Sequence, residues 1–212
     1  DVAPSRGLGD VYKRQGYIAF ARMVSGMGTT IFAAHSIAIT AEQIVYIPGY
    51  GLRVATSTLV GNALGEKDIR KLKATERVSI LITLLIMVVN GIGLYLFAYP
   101  FMRLFTNSVN AARIGSEVLR LVSFSEPFFG LMIVLEGISY GMGRTKHVFA
   151  CEAVSMWGIR IFGTFLCVNV FGLGLKAVWL CMIADNICKA ILLYIFRPKH
   201  VEENADDRGE LR

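Results

Sequence analysis

Residues 31–68 read IFAAHSIAITAEQIVYIPGYGLRVATSTLVGNALGEKD. For over 30 residues the stretch is apolar or small, and it then breaks into the charged loop Gly65-Glu66-Lys67-Asp68. Crossing a bilayer takes ~20 residues, so the length suffices. Yet the stretch carries Glu42, Arg53 and the interruption Pro48-Gly49-Tyr50-Gly51, unlike a soluble core helix or a plain membrane anchor. At about 3.6 residues per turn, Glu42, Tyr46, Gly49 and Arg53 follow one stripe. A stripe of acid, phenol, glycine and base faces other helices or a wet cavity, because charge at the bilayer centre is costly. Pro48 removes a backbone hydrogen bond and is expected to kink the helix, with Gly49 beside it as a hinge. Broken helices at membrane depth occur where they line protein or water, and they often mark transport sites. The plainer alternative is a buried polar cluster that only fixes packing.

Composition agrees with a membrane protein. Of 212 residues 54% are hydrophobic and 18% charged, against a usual charged share of ~25%. The net charge of +6 comes from loop lysines and arginines. No basic–aromatic patch accompanies it, so nucleic acid is not an expected partner. Cys151, Cys167, Cys181 and Cys188 show no CxxC spacing and no clustered histidines. That points to buried small hydrophobes rather than a zinc or redox site. The chain has no nucleophile elbow, Walker motif or HExxH, and Val60–Gly65 lacks the ending of a phosphate loop. No enzyme activity and no organic or metal cofactor are expected.

Outward from the opening stretch, the remaining segments fall into order. Residues 1–15 are polar, Gly-rich and unlike the rest. Asp10–Gln15 (DVYKRQ) is what the terminal bases of a widely used sequencing-library transposon adaptor spell in frame. We therefore read 1–15 as non-native and set it apart from the fold. Residues 16–28 read as the end of a truncated transmembrane helix, followed by a turn at 26–30. Residues 65–77 read as a short amphipathic helix at the membrane surface. Residues 78–99 contain no charge and form the cleanest span, ended by Pro100, with 101–117 as an external loop. Further spans are expected over 118–142, 148–170 and 176–196, separated by the loop 143–147 and a tight turn at 171–175. Residues 199–212 read as a disordered cytoplasmic tail. The fold class is thus an all-α membrane protein, a polytopic bundle of about five full transmembrane helices plus one truncated. Basic residues alternate between loops, nine on one side against three on the other. The positive-inside rule puts the basic loops and the C-terminus in the cytoplasm.

Three glutamates lie in apolar spans: Glu42, Glu126 and Glu136. Burial disfavours a carboxylate's charged form, so such a group can exchange a proton near physiological pH or hold Na+ when ionised. Both uses drive secondary transport. Glu126 and Glu136 stand ~15 Å apart along a helix and are not expected to touch. Pro127 is expected to bend the helix between them. Arg22, Arg53 and Arg160 are the intramembrane bases, and each glutamate could instead be locked in a structural ion pair with one of them. Asp185 and Lys189, four residues apart, read as a self-satisfied helical pair. Glu152 reads as interfacial, and His35 as a packing or hydrogen-bonding residue.

The ordered set 33–38 (AAHSIA), Ile47-Pro48-Gly49, Leu59-Val60-Gly61 and 64–68 (LGEKD) resembles the second span of the C-terminal lobe in the multidrug and toxic compound extrusion (MATE) family. Leu104-Phe105-Thr106 with Val109, 137–145 (GISYGMGRT) and 172–179 (GLGLKAVW) extend the resemblance from Gly16 to about Pro198. It implies a 12-helix exporter of two pseudo-symmetric lobes, of which this chain is the C-terminal one. The implied activity is efflux of small amphipathic or cationic compounds by antiport with Na+ or H+ across the cell membrane. The implied partners are the lipid bilayer and an N-terminal lobe of the same polypeptide. Two departures stand out. The aspartate that many members carry eight residues before the first glycine of the 137–145 motif is Phe129 here, and the motif's Arg and Asp are Tyr140 and Arg144. Glu42, Glu126 or Glu136 would then supply the coupling acid, with Tyr46, Arg53 and Arg160 lining the cavity. The alternatives are a lipid or lipid-linked oligosaccharide flippase of the same superfamily, or a membrane assembly subunit that transports nothing.

Overall fold

The computed structural model describes residues 4–196, with side chains from residue 14 onward. The charged tail 199–212 lies outside the described residues. Every described element is helical: α1 (Pro4–Ser25), α2 (Thr29–Gly65), α3 (Ile69–Phe105), α4 (Val109–Ser123), α5 (Glu126–Gly141), α6 (Thr145–Val170) and α7 (Leu175–Ile195). Two π-helical segments, Met156–Ile161 and Leu166–Val170, lie inside α6. By length and apolarity α2, α3, α6 and α7 can each cross a membrane, and α4 with α5 forms a fifth, broken span. With α1 this gives the expected five spans and a further helix. The backbone of α1 begins inside the segment 1–15 that the sequence sets apart.

Hydrophobicity alone does not say which helix face turns inward, because lipid is as apolar as the core. Small and polar side chains mark part of the inward face. Large apolar side chains of α3 (Leu81, Leu85, Val89, Ile92, Leu96) point outward, while Ser79, Thr83, Gly91 and Ala98 are buried together with Met87, Leu94 and Met102. On α2 the buried set is likewise small or polar: Ala34, Ala38, Ala41, Glu42, Gly49. The broken-span helix α5 runs through the middle and packs on α2, α3 and α7. Glycines allow that approach. A Cβ on Gly137 would lie 2.7 Å from the Arg53 carbonyl oxygen, and one on Gly91 would lie 2.7 Å from that of Ser123. Gly137→Val is therefore expected to push α5 off α2. The cost is about 1–3 kcal/mol, read as a lower melting temperature of the detergent-solubilised chain.

Three elements differ from their sequence expectation. Residues 65–77 do not form a separate surface helix. Asp68 caps α3 directly, its carboxylate accepting from the Lys71 amide at 2.9 Å, and no breaker separates Ile69 from the apolar run. At 37 residues α3 measures ~55 Å, so its charged first turns extend beyond the ~30 Å hydrocarbon layer. Pro100 does not end α3, which continues to Phe105. The proline removes one hydrogen bond, on the exposed side near Leu96. The expected external loop at 101–117 is accordingly short, and α4 begins at Val109.

The third difference concerns Pro127. The bend falls before Glu126, with α4 and α5 meeting at 61°, and not between Glu126 and Glu136. A proline cannot donate to the carbonyl four residues earlier, and its ring crowds that carbonyl. Here that residue is Ser123, the last of α4. Pro127 thus opens α5, a favoured place for proline, and Glu126 sits in the first turn of the new helix. By contrast α2 is a single unbroken helix that contains both Pro48 and Gly49. Gly49 is a packing position there: a Cβ on it would meet the Met87 methyl group of α3.

Candidate functional site

The stripe on α2 faces inward as its spacing requires. Glu42 is buried and accepts a hydrogen bond from the Tyr46 hydroxyl at 2.5 Å, one turn along the same helix. The Tyr46 ring stacks on Phe129 of α5, with centroids 3.7 Å apart and planes 13° from parallel. Asn90 of α3 donates to the Val45 carbonyl at 3.0 Å, in the turn that Pro48 interrupts. The α2–α3–α5 contact therefore holds Glu42 and Tyr46 in place.

Glu126 lies opposite. It is 0% exposed, and neither carboxylate oxygen has a hydrogen-bond partner among the described residues. Phe129, three residues along α5 from Glu126, stacks on Tyr46, so Glu126 stands on the side of α5 that meets the Glu42–Tyr46 pair. The ~15 Å separation expected from Glu136 is kept, since both lie on α5. Glu136 forms a different site: Arg53 donates to it at 3.0 Å, so the stripe's acid and base belong to two centres and not one. The ion-pair alternative thus describes Glu136 but neither Glu42 nor Glu126. Arg53→Met is expected to cost about 1–3 kcal/mol, because it strands a buried carboxylate. The figure is held down by Arg53 being about a third exposed. The double variant Arg53→Met/Glu136→Leu should recover most of the loss in a thermal-unfolding cycle.

Arg160 is drawn to Asp185. Its Nε lies 2.9 Å from Asp185 Oδ2, but the N–H is aimed off the oxygen and makes no hydrogen bond. The expected Asp185–Lys189 pair forms at 2.9 Å, and the Ser155 hydroxyl donates to Asp185 Oδ1 at 2.6 Å. One buried carboxylate thus gathers two cations and a hydroxyl between α6 and α7. His35 Nδ1 accepts from the Trp179 indole at 3.2 Å, the hydrogen-bonding role its sequence position suggests. Sequence reasoning set Asp185 aside as self-satisfied. A signal was present: Arg160 stands eleven residues before Phe171 and Asp185 eleven after Gly174, so an antiparallel hairpin through that turn brings them level.

The MatE family model matches residues 15–166. The chain belongs to the MatE family. Over 183 residues this MatE chain is 30% identical to a probable multidrug resistance protein NorM of Thermotoga maritima, a match covering 85% of this chain and 39% of that protein. Over 173 residues it is 28% identical to a probable NorM of Photorhabdus laumondii, covering 80% and 38%. In structure it resembles a MOP superfamily transporter from Pyrococcus furiosus, with TM-score 0.82, 20% identity, and 92% and 44% of the two chains covered. It also resembles a eukaryotic MATE transporter, with TM-score 0.80, 20% identity, and 92% and 45% covered. At that identity the likeness speaks for fold alone. The chain spans about two fifths of the length of the curated relatives it matches. The MatE fold is a multi-pass membrane bundle, and this chain is about half of one.

In this MatE chain Phe129, which stands where the resemblance led one to expect an aspartate, is the aromatic floor under Tyr46. Tyr140, in place of the motif's arginine, has the Arg53 guanidinium 6.0 Å from its ring centre.

Proposed function

We propose that the chain is one lobe of a secondary active exporter of small amphipathic or cationic compounds, and that Glu126, with Glu42 and Tyr46, is its coupling site. The observation that carries this reading is the fully buried Glu126 carboxylate without a partner. An ionised carboxylate there needs a counter-cation and a protonated one needs none, and leaving a bare buried charge is strongly unfavourable. A group that must take up a cation to be buried, and release it to be hydrated, is what a cation-driven cycle requires. A proton suits the site better than Na+. A protonated carboxyl is neutral and can lie buried without a partner, as Glu126 does, whereas Na+ would need a set of oxygen ligands arranged around it. The named relatives are multidrug resistance proteins, which favours drug-like substrates. The charge distribution of the loops favours a cytoplasmic C-terminus in the cell membrane.

A flippase for anionic lipid-linked substrates would present uncompensated cations. Here Arg53 is matched by Glu136, and Asp185 offsets one of the two cations that meet on it, which leaves a single excess positive charge between α6 and α7 and not a cation-lined cavity. An assembly subunit would have its acids paired locally, and Glu126 is not. The substrate class is tested by expressing the full-length polypeptide that carries this lobe in an efflux-deficient bacterium and following a cationic dye. Energy-dependent export is expected. Failure to move any of several cationic dyes, alongside movement of a lipid-linked substrate, would replace this reading with the flippase.

A further inference from the structure

We propose that Cys167 and Cys181 form a reversible disulfide that staples α6 to α7 close to the turn joining them. Their sulfur atoms lie 3.7 Å apart. Gly163, one turn before Cys167, explains the approach: a Cβ there would be only 3.3 Å from the Cys181 sulfur, so α6 makes room for α7 at that level. Both thiols are partly exposed, whereas Cys151 is buried. A purely space-filling role suits Cys151 better than this pair.

The local backbone also singles the pair out. Cys167 lies in the π segment Leu166–Val170. The turn that follows folds back onto it, the Leu173 amide donating to the Cys167 carbonyl at 2.7 Å. Single π turns inside α-helices are frequent at functional sites. Bonding requires the two sulfur atoms to close to ~2.05 Å.

The chemistry balances with a small disulfide as oxidant. One cysteine thiolate attacks that disulfide, forms a mixed disulfide and releases one small thiolate. The second cysteine then attacks the protein sulfur of the mixed disulfide, gives up its proton and expels the second small thiolate. Two protein thiols and one small disulfide become one protein disulfide and two small thiols. In the membrane orientation proposed above, the turn at 171–174 faces away from the cytoplasm, where disulfides persist. The staple would fix α6 against α7, and with it Arg160 against Asp185. It depends on that orientation but not on the coupling ion or the substrate.

The test uses the chain purified in detergent, treated with excess oxidised glutathione, blocked with N-ethylmaleimide and analysed by mass. The expected product has lost two hydrogens and yields one peptide joining Cys167 to Cys181, with Cys151 and Cys188 alkylated. Dithiothreitol should reverse it, and Cys181→Ser should leave a glutathione adduct on Cys167. Alkylation of both residues, or a link between any other pair, overturns the proposal. On intact cells expressing the full-length polypeptide and first reduced with dithiothreitol, a membrane-impermeant maleimide should reach the pair from outside. Labelling only in inverted vesicles overturns the staple in the cell through its orientation, while leaving the coupling-site reading untouched.

Discussion

Replacing Glu126 by Gln in the full-length polypeptide is expected to reduce dye export to the level of empty vector while leaving the protein as stable as before. The two effects separate because of what surrounds the side chain. A structural acid is held by partners, and removing it strands them. Glu126 has none among the described residues: both oxygens are buried without a hydrogen bond. Its removal strands nothing. The melting temperature should stay within about 2 °C of wild type or rise, since one kcal/mol moves it by only about 2–4 °C at this size. Glu126→Met should behave alike, because replacing a poorly satisfied charge with a similar apolar volume is often neutral or stabilising. A clear fall in stability in both variants would mean that Glu126 has partners in the folded protein and a packing role.

The opposite behaviour is expected of Asp185. It is fully buried, and Arg160, Lys189 and Ser155 all converge on it. Asp185→Leu leaves two nearly buried cations facing one another with no anion between them. Breaking a buried pair by removing one partner costs about 3–5 kcal/mol; at about 2–4 °C per kcal/mol, the chain should melt roughly 10 °C lower, if it accumulates at all. Adding Arg160→Met and Lys189→Met should return most of the loss, because the stranded charges cause the damage. If the triple variant is no more stable than Asp185→Leu, shape and not charge governs this part of the core.

These two carboxylates show what the sequence could and could not carry. Both stand in apolar runs, and both register as costly. Their difference is three-dimensional: whether a neighbouring helix brings a cation is not written in local spacing. The Glu42–Tyr46 contact was legible because a single helix fixes the i, i+4 geometry. The Arg160–Asp185 contact was legible only if the hairpin was counted outward from its turn. Span number came through clearly, since 20-residue apolar runs have few other readings. Span edges came through less well. Helix α3 absorbs both the charged residues before it and Pro100 within it, because membrane helices continue into water wherever no breaker stops them. The position of the bend was missed for a specific reason. A proline disrupts the turn preceding it, so Pro127 acts at Ser123 and moves Glu126 from mid-helix to a helix start.

In the proposed cycle, protonation of this acid centre drives export. Reconstituting the full-length polypeptide in liposomes and following a cationic dye under an imposed pH gradient, or under an Na+ gradient with no pH difference, tests this. Flux is expected under the pH gradient alone, absent in Glu126→Gln and present in Glu126→Asp at a reduced rate. Flux driven by Na+ alone, or full pH-driven flux in Glu126→Gln, would contradict it.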